Sequence, residues 1–519
     1  MIGKSSSASA ETAARLASLT SWDADWSGLR VVVAGIGVSG FAAADTLIEL
    51  GASVVVVDAS VTERTQAQAE TLRIVGAQDV LLGPDAVEHV PAVDGAQPDL
   101  VVTSPGWRPD QAMLAEATRR AIPVWGDVEL AWRLRSRRGK KAADWLTITG
   151  TNGKTTTVGM AESMLRAAGL TAVAVGNVGK PILDALREPV EYDVFAVELS
   201  SFQLHWANSL SPVASVVLNV AEDHVDWHGS YEGYLADKAK VYANTQKACI
   251  YNAEQIETER MVEDADVIEG CRAVAFTTGT PAVSMLGVVD GLLIDRAFIE
   301  ERREHAAELG ALTDLGPSAP RHMVANALAA AALVRAYGVE PAAVKAGLQA
   351  YHPGDHRIQP VAAAGGVVWV NDSKATNPHA ASASLSAFGH VVWIAGGLSK
   401  GVAYDELVSR HAGRLRAVVL IGLDSSELAG ALARHAPNVP VFPVDAGQTG
   451  DDQPAGGSLT GREIMARAVE LAAAHAEPGD TVLMAPAAAS MDQFVSYAER
   501  GAAFTEAARA AAARETTEE

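Results

Sequence analysis

The stretch WLTITGTNGKTT, Trp145–Thr156, joins an apolar strand to a glycine-containing loop and to the first turn of a helix. Backbone N–H groups in such a loop, and at the helix N-terminus, point towards phosphate oxygens. Lys154 can neutralise the charge of the β- and γ-phosphates, and the hydroxyl of Thr155 can bind Mg²⁺. The stretch therefore predicts a shortened phosphate-binding loop on a parallel α/β sheet. The alternative interpretation is an ordinary strand-to-helix turn.

The loop differs from the longer phosphate-loop pattern G-x-x-x-x-G-K-S/T in one respect. Where the first glycine should stand, the chain has Thr147 or Ile148, depending on the alignment. This difference disfavours a plain GTPase or a motor ATPase.

A second glycine pattern, G-x-G-x-x-G, runs from Gly35 to Gly40 after the apolar stretch RVVVA, and Asp58 ends the next predicted strand. Such glycines let a pyrophosphate lie on a helix N-terminus, with a carboxylate beyond the next strand. A dinucleotide, a UDP-type nucleotide and close helix–strand packing without any ligand all agree with this pattern.

The length of 519 residues is too great for one ordinary core and suggests about three domains. Apolar runs alternate with amphipathic stretches, which favours doubly wound α/β domains with parallel sheets. We expect a flexible tail over residues 1–28, a Rossmann-like domain over 29–142, a central P-loop ATPase domain with a parallel sheet over 143–353, and a Rossmann-like domain over 354–519. The polar, glycine-rich residues 446–461 predict a flexible insertion.

The formal net charge of −22 disfavours binding to nucleic acid or to an anionic membrane. We find neither an apolar run long enough to span a membrane nor a secretory leader pattern. The two cysteines, Cys249 and Cys271, suit a reducing compartment and lack metal-ligand spacing. We expect a cytoplasmic monomer with no nucleic-acid partner and no membrane span.

Three further residues follow the phosphate loop along the chain and are candidates for a metal site. Glu198 ends a predicted strand, His224 follows the next one, and Lys238 lies in YLADKAKVY. Ligand-binding groups collect at the carboxyl ends of parallel strands, so Glu198 and His224 could converge on the metal of a nucleotide. A structural cap and an ordinary loop histidine are the alternatives.

Three motifs in the last domain share a strand–loop–helix placement: NDSKATNP (371–378), AGGLSKG (395–401) and APAAASMDQFVSYAERG (485–501). Each alone would suit a surface loop. Together on one sheet edge they predict a substrate cleft.

The motifs TGTNGKTT, VELSSFQL, NDSKATNP and SMDQF resemble those of the Mur ligase family, and the resemblance covers residues 30–510. It implies a UDP-binding Rossmann-like domain, a central ATPase and a C-terminal Rossmann-like domain. The implied activity is an ATP-dependent ligase of peptidoglycan precursor synthesis that activates a carboxylate as an acyl phosphate. The motifs are most similar to the branch that joins D-glutamate to UDP-N-acetylmuramoyl-L-alanine.

The resemblance also implies roles for individual residues. Lys154, Glu198, His224 and Lys238 would be catalytic, and Lys238 would act as a carbamate. The UDP part would contact Ser39, Asp58 and Ser104, and the muramoyl-alanine arm Asn177 and Ser200. ATP would be held by Gly150, Thr151, Asn152, Gly153, Lys154, Thr155, Thr156, Asn326, Arg357, Asp372 and Lys374. Mg²⁺ would be held by Thr155, Glu198, His224 and Lys238, and D-glutamate by Thr376, Lys400, Ser490 and Tyr497.

Other functions remain open on the sequence. An NAD-dependent dehydrogenase would use the first glycine pattern but leave TGTNGKTT unexplained, and a non-catalytic nucleotide-binding regulator would need no metal ligands. Another Mur ligase or a folylpolyglutamate synthase is the alternative within the same class. Nucleotide-dependent phosphate release, measured with each amino acid in turn, would distinguish these functions.

Overall fold

The computed structural model describes residues 11–177, 179–316, 319–352, 354, 356–399, 401–444 and 459–518. The chain forms two compact units, the first comprising Met1–Val220 with Val225–Tyr351 and the second Ala221–His224 with His352–Glu519. Two β-sheets lie in the first unit and one in the second. The predicted α/β fold class, with a Rossmann-like sheet at each end of the chain, is confirmed.

The first sheet has the strand order β3-β2-β1-β4-β5, and all of its pairs are parallel. Its central strands are buried on both faces and rich in valine, a stiff β-branched residue that packs well on a pleated surface. The elements are α1 (11–18), β1 (Arg30–Ala34), α2 (Val38–Glu49), β2 (Ser53–Asp58), α3 (Glu63–Val75), β3 (Asp79–Leu82), β4 (Leu100–Thr103), α4 (Ala112–Arg119), β5 (Val124–Gly126) and α5 (Asp127–Leu134).

Residues 11–28 are packed rather than flexible, which corrects the expectation of a tail there; residues 1–10 lie outside the described residues. Leu16, Leu19, Trp22 and Trp26 are all buried in the core of the first unit. The burial of four large apolar side chains offsets the entropy lost when this segment is ordered. The many serines and alanines of the segment make the spacing of its four large apolar residues difficult to recognise in the sequence.

The second sheet has nine strands in the order β14-β13-β12-β11-β10-β9-β6-β8-β7. It is parallel from β7 to β12, and β13 and β14 add antiparallel at one edge. The strands are β6 (Asp144–Thr149), β7 (Ala172–Gly176), β8 (Val194–Glu198), β9 (Ala214–Val217), β10 (Ala248–Asn252), β11 (Arg272–Phe276), β12 (Met285–Val289), β13 (Leu292–Asp295) and β14 (Ala307–Ala311).

The helices around this sheet are α6 (Lys154–Ala167), α7 (Ile182–Arg187), α8 (Ser201–His205), α9 (Val225–His228), α10 (Tyr231–Ala239), α11 (Ile256–Glu263), α12 (Arg321–Tyr337) and α13 (Pro341–Ala350). The alanine-rich α12 packs against α6, and its small side chains let the two helices approach closely.

The third sheet has the order β15-β16-β20-β17-β18-β19 and is parallel except for the β15–β16 pair. Its elements are β15 (Gln359–Ala364), β16 (Val367–Asn371), α14 (Pro378–Ser386), β17 (Val391–Gly396), α15 (Asp405–His411), β18 (Leu415–Ile421), α16 (Ser426–His435), β19 (Val441–Pro443), α17 (Gly461–His475), β20 (Thr481–Met484) and α18 (Tyr497–Glu518). Most of the predicted insertion lies outside the described residues, which resume at Leu459. Among the helices described, none has the length and apolar character needed to cross a membrane.

Candidate active site

The predicted phosphate loop connects β6, in the interior of the second sheet, to α6. Gly150 and Gly153 have φ angles of 153° and 85°, a region that favours glycine. A Cβ on Gly153 would lie 2.3 Å from Oδ1 of Asn326, and one on Gly150 would lie 2.9 Å from Cβ of Leu218. Both glycines are therefore required by backbone conformation and by close packing. The same approach places Asn326 of α12 against the loop.

The side chain of Lys154 turns back into the loop that precedes it. Its Nζ donates to the carbonyl of Gly150 at 2.8 Å and to that of Thr151 at 3.0 Å. The hydroxyl of Thr151 is 2.7 Å from the phenol oxygen of Tyr234 on α10. The ammonium group thus lies within the loop where a bound phosphate would need a cation.

Asn219, which sequence analysis did not single out, holds the loop from the neighbouring strand. Its carbonyl accepts a 3.0 Å hydrogen bond from the Thr151 N–H, and its Oδ1 accepts one of 2.9 Å from the Asn152 N–H. The residue stands two positions after β9, which pairs with β6. That placement at the carboxyl edge was the signal in the sequence that could have identified it.

Lys238 of α10 is a buried lysine that reaches the same loop. It is 2% exposed, and its Nζ donates to the Gly150 carbonyl at 2.9 Å. Its Nζ also lies 4.7 Å from the ring centre of Tyr234. Two lysines of different helices therefore share one carbonyl of the phosphate loop.

Glu198 is the last residue of β8 and is opposite Ile148 of β6. Its carboxylate is buried, and Oε1 accepts a 3.1 Å hydrogen bond from the Asn177 side chain. Among the described residues, its Oε2 has no hydrogen-bond partner. A buried carboxylate oxygen left in this state is costly, and a hard cation such as Mg²⁺ would satisfy it.

His224 belongs to the second unit, whereas Glu198 and Lys238 belong to the first. Its backbone N–H donates to Oδ1 of Asp223 at 3.0 Å, and its backbone φ angle is 53°. The three predicted metal ligands are therefore not gathered within one unit. Across the described part of the chain, no cluster of three or more His, Cys, Asp or Glu residues is arranged to hold a metal ion.

The first glycine loop lies at the carboxyl edge of the first sheet. Oδ2 of Asp58 accepts a 2.8 Å hydrogen bond from the Ile36 N–H. A Cβ on Gly40 would lie 1.8 Å from the Gly35 carbonyl oxygen, so α2 begins in contact with the loop. The buried hydroxyl of Ser104, after β4, has no hydrogen-bond partner among the described residues. Asp58 and Ser104 therefore lie beside this loop.

A series of hydrogen-bonded polar side chains connects the first glycine loop to the start of α8. Ser200 caps α8, because its hydroxyl accepts a 3.2 Å hydrogen bond from the Gln203 N–H. The Gln203 side chain donates to Asp127 at 3.2 Å. Burial raises the pKa of Asp127, while hydrogen bonds from Gln203 and Ser39 oppose that rise. The series links Ser39 to Ser200, two of the predicted substrate residues.

A second unpredicted residue, Asp237, ties α8, α9 and α10 together. Its Oδ2 is 2.8 Å from Nδ1 of His205 and 2.8 Å from Nδ1 of His228. Its Oδ1 is 2.8 Å from Nζ of Lys240. Burial alone would raise the pKa of Asp237, but the hydrogen bonds of these three groups lower it overall. The carboxylate fixes the helix that carries Lys238.

In the second unit, Asp372 follows β16 and is 7% exposed. It accepts hydrogen bonds from the Ser384 hydroxyl and, at 3.3 Å, from the Ile358 N–H. Burial raises the pKa of Asp372 to about 6, although the positive charge of Arg357 acts in the opposite direction. Nζ of Lys374 lies 4.0 Å from the ring centre of Tyr497. Arg357, Asp372, Lys374 and Tyr497 are thus grouped around one strand end.

The remaining predicted residues of this unit occupy neighbouring loops. Thr376 lies in the turn before α14, which Asn377 caps by accepting a 2.8 Å hydrogen bond from the Ala380 N–H. Ser490 is buried in the loop after β20. Lys400 lies outside the described residues.

Arg500 of α18 was missed by the sequence analysis, although it lies within a motif that was quoted. It is fully buried, and its guanidinium donates to the carbonyls of Ser373, Ala488 and Ala489 at 3.0–3.3 Å. Its Nε also donates to the Ser373 hydroxyl at 3.1 Å. Burial lowers the pKa of Arg500 to about 10. One side chain therefore fixes the loops after β16 and β20.

The chain is similar to proteins of known family over most of its length. Residues 148–334 match the Mur ligase middle domain and residues 356–488 the glutamate ligase domain of Mur ligases. It is 54% identical to the UDP-N-acetylmuramoylalanine–D-glutamate ligase of Streptomyces avermitilis, over 93% of this chain and 99% of that protein. For the ligase of the same name from Leifsonia xyli the identity is 52%, over 94% of each chain. The chain belongs to the Mur ligase family.

A solved structure of UDP-N-acetylmuramate–alanine ligase from Thermotoga maritima superposes on this Mur ligase with a TM-score of 0.52. The two chains are 18% identical, and the match covers 93% of this chain and 99% of the other. At this level of identity the likeness concerns the fold alone. Within the fold, the phosphate loop of this Mur ligase contacts Lys238 and Asn326, and Glu198 lies on the adjacent strand.

Proposed function

We propose that this Mur ligase joins D-glutamate to UDP-N-acetylmuramoyl-L-alanine, converting ATP to ADP and phosphate, in peptidoglycan precursor synthesis. The observation that carries the proposal is the phosphate loop, where Lys154 and Lys238 share the Gly150 carbonyl. The names of the two relatives supply the substrates. The proposal includes a monomer in the cytoplasm, where ATP is available, and the three-domain division at 29–142, 143–353 and 354–519.

The phosphate loop and its neighbours bind the triphosphate in this proposal. The N–H groups at the start of α6 point at phosphate oxygens, and Lys154 exchanges its loop carbonyls for the γ-phosphate. The glycine at position 153 keeps the loop close to Asn326, which would meet the nucleotide. We assign ATP binding to Gly150 to Thr156, and also to Arg357, Asp372 and Lys374.

The buried carboxylate of Glu198, on the strand adjacent to β6, also fits a magnesium ion. The unpartnered Oε2 of Glu198 supports this assignment, because Mg²⁺ prefers carboxylate oxygens. Thr155, Glu198, His224 and Lys238 would hold the ion. When bound, Mg²⁺ would offset the negative charge that otherwise keeps a carboxylate away from the γ-phosphate.

Lys238 acts as a carbamate in this proposal. A protonated amine has a reference pKa of about 10.4 and cannot ligate a cation, whereas addition of CO₂ gives an anion with two oxygens. The support is positional: a buried lysine side chain ends at the phosphate loop, on a helix that Asp237 holds in place.

The chemistry then follows in two displacements. The alanyl carboxylate attacks the γ-phosphorus, the bond to ADP breaks, and Lys154 stabilises the charge on the transferred group. The amine of D-glutamate attacks the acyl carbon, phosphate leaves, and a proton is lost as the amide forms. The protein holds ATP, the alanyl carboxylate and D-glutamate next to one another. The reaction therefore does not depend on three molecules meeting in solution.

The remaining parts of the substrates are assigned to residues of all three sheets. We assign the UDP part to Ser39, Asp58 and Ser104 at the first glycine loop, and the muramoyl-alanine arm to Asn177 and Ser200. D-Glutamate is assigned to Thr376, Lys400, Ser490 and Tyr497. The buried hydroxyl of Ser104, unpartnered among the described residues, supports the first assignment.

Phosphate release from ATP tests the proposal. Purified enzyme is given UDP-N-acetylmuramoyl-L-alanine with D-glutamate, L-glutamate, L-alanine or meso-diaminopimelate in separate reactions, and the product is identified by mass spectrometry. We expect release and a new amide only with D-glutamate. Release with another amino acid, or with a folate substrate, would assign the chain to a different branch. Hydride transfer to NAD with no phosphate release would exclude a ligase altogether.

A further inference from the structure

The two cysteines of the chain lie beside each other, although they are 22 positions apart in the sequence. Cys249 is in β10, and Cys271 immediately precedes β11, the parallel neighbour of β10. Their sulfur atoms are 3.8 Å apart. Cys249 is 2% exposed, whereas Cys271 is half-buried. A small oxidant can therefore reach the Cys271 thiol from solvent, and the Cys249 thiol lies next to it.

We propose that this pair is an oxidation site, at which a peroxide converts Cys249 and Cys271 into a reversible intramolecular disulfide. A disulfide requires the two sulfur atoms to move from their present separation of 3.8 Å to about 2.05 Å. In a reducing compartment the bond forms only transiently, during exposure to an oxidant.

The environments of the two thiols decide the order of the steps. The Sγ atoms of Cys249 and Cys271 are within hydrogen-bonding distance of each other, and this contact lowers the pKa of the Cys271 thiol. The same contact, together with burial, raises the pKa of Cys249. Cys271 is accordingly both the more exposed sulfur and the one that more readily forms the reactive thiolate.

The reaction balances with hydrogen peroxide as the oxidant. The Cys271 thiolate attacks one peroxide oxygen, the O–O bond breaks, and a sulfenic acid and hydroxide form. The Cys249 sulfur then attacks the Cys271 sulfur. Its proton leaves with the hydroxyl group as water, and the S–S bond forms. Two electrons pass from the two sulfurs to the peroxide.

The position of the pair in the sheet predicts the consequence. The thiols lie at the amino ends of β10 and β11, whereas the phosphate loop follows the carboxyl end of β6 in the same parallel arrangement. The cross-link therefore joins two strands without touching the ATP site. It should stabilise the first unit, because it restricts the unfolded chain, and leave turnover nearly unchanged. It also removes both thiols from irreversible oxidation.

The test uses the full chain with a small excess of hydrogen peroxide, followed by catalase, alkylation of remaining thiols and intact-mass measurement. We expect a monomer that is two hydrogens lighter and takes up no alkylating agent, and dithiothreitol should restore two alkylatable thiols. The Tm should rise by roughly 2–5 °C and return on reduction. Phosphate release should stay within about twofold of the reduced enzyme.

Cys249→Ala and Cys271→Ala serve as separate controls, because each keeps one thiol and has no partner for it. We expect both variants to lack the rise in Tm, and Cys249→Ala to accumulate sulfinic acid at Cys271. Two alkylatable thiols after peroxide, a covalent dimer in place of the internal bond, or an unchanged Tm would each overturn the proposal. These readouts do not depend on ligase activity, so they stand apart from the test of the proposed function.

Discussion

Asn219 and Asn152 form a closed pair of hydrogen bonds across 67 residues of sequence: the Asn152 N–H donates to Asn219 Oδ1 at 2.9 Å, and Asn219 Nδ2 donates to the Asn152 carbonyl at 3.0 Å. The pair holds one face of the phosphate loop in the segment between β6 and α6. The shape of the loop is therefore fixed in part by contacts within the protein itself.

Replacing Asn219 with alanine should weaken ATP binding. The change removes two hydrogen bonds, each worth about 1 kcal/mol, so the KM for ATP should rise by roughly 5–30-fold with a smaller fall in kcat. Steady-state phosphate release at saturating D-glutamate measures both. Asn208→Ala is the control, since Asn208 is exposed and uses only its backbone in the observed contacts. Equal effects of the two substitutions would contradict the role of the pair.

Lys154→Ala should reduce phosphate release by about 10²–10³-fold while the fold is kept, because the lysine supplies charge at the transferred phosphate. Its loss also removes the two hydrogen bonds to loop carbonyls, so Tm should fall by only a few degrees. Turnover and circular dichroism measure the two effects. Lys247→Ala, at an exposed position of the same unit, should match the wild type. Near-normal turnover of Lys154→Ala would refute the phosphate-loop assignment.

Lys238→Ala should lose most activity and recover part of it when formate or acetate is supplied, since either carboxylate can occupy the space of the missing carbamate. The rescue is measured as phosphate release against formate concentration. Lys240→Ala, two residues along the chain, should show no response to formate. A fully active Lys238→Ala variant without added carboxylate, or an active enzyme with an unmodified Lys238 amine, would exclude the carbamate.

Arg500→Lys should raise the KM for D-glutamate by about tenfold and change the KM for ATP less, because lysine keeps the charge but cannot reach all four acceptors. Arg500→Met should lower the free energy of unfolding of the second unit by about 2–4 kcal/mol, since it leaves buried carbonyls without donors. Kinetics and urea unfolding measure the two effects. The control is Arg509→Lys, an exposed position on the same helix. A KM for D-glutamate that stays constant in Arg500→Lys would remove this positioning role.

Asp372 should make the second unit lose stability as the pH rises from about 4 to 7. Its pKa is raised from 3.8 to about 6 in the folded state, so the folded chain retains a proton that the unfolded chain has lost. The extra stability is complete below the unfolded pKa and disappears as the pH passes the folded value, a change on the order of 2–3 kcal/mol.

Urea unfolding followed by tryptophan fluorescence across that pH range measures this change. Asp372→Asn should flatten the dependence by the same amount, because asparagine does not titrate. Asp424→Asn, at an exposed position of the same unit, should leave the dependence in place. Identical pH profiles for the wild type and Asp372→Asn would show that Asp372 keeps an ordinary pKa.

Several features of the protein could be predicted from short stretches of sequence. The valine-rich strands β1, β2 and β16 have the apolar runs of buried parallel strands, and the alanine-rich stretch of α12 (Arg321–Tyr337) has the composition of a helix. The glycines of both loops and the helix start at Asn377-Pro378 could also be recognised from the sequence. Backbone conformation and helix capping depend on residues that are neighbours in the chain.

Seven strands, β3 and β10 to β15, were not predicted. They are short, and β13 and β14 form an antiparallel edge that leaves them only partly buried, so their apolar pattern is weak. The order of strands in each sheet likewise depends on packing between elements that are distant in the sequence.

By itself, the sequence determined the fold class, the position of the phosphate loop and the residues most similar to those of Mur ligases. Only the tertiary structure decided that Trp22 and Trp26 are core residues, that Asn219 supports the loop, that Asp237 joins three helices and that Arg500 fixes two loops. The reason is the range of the interactions. Turns and caps involve residues a few positions apart, whereas each of these contacts joins segments that meet only after the sheets have formed.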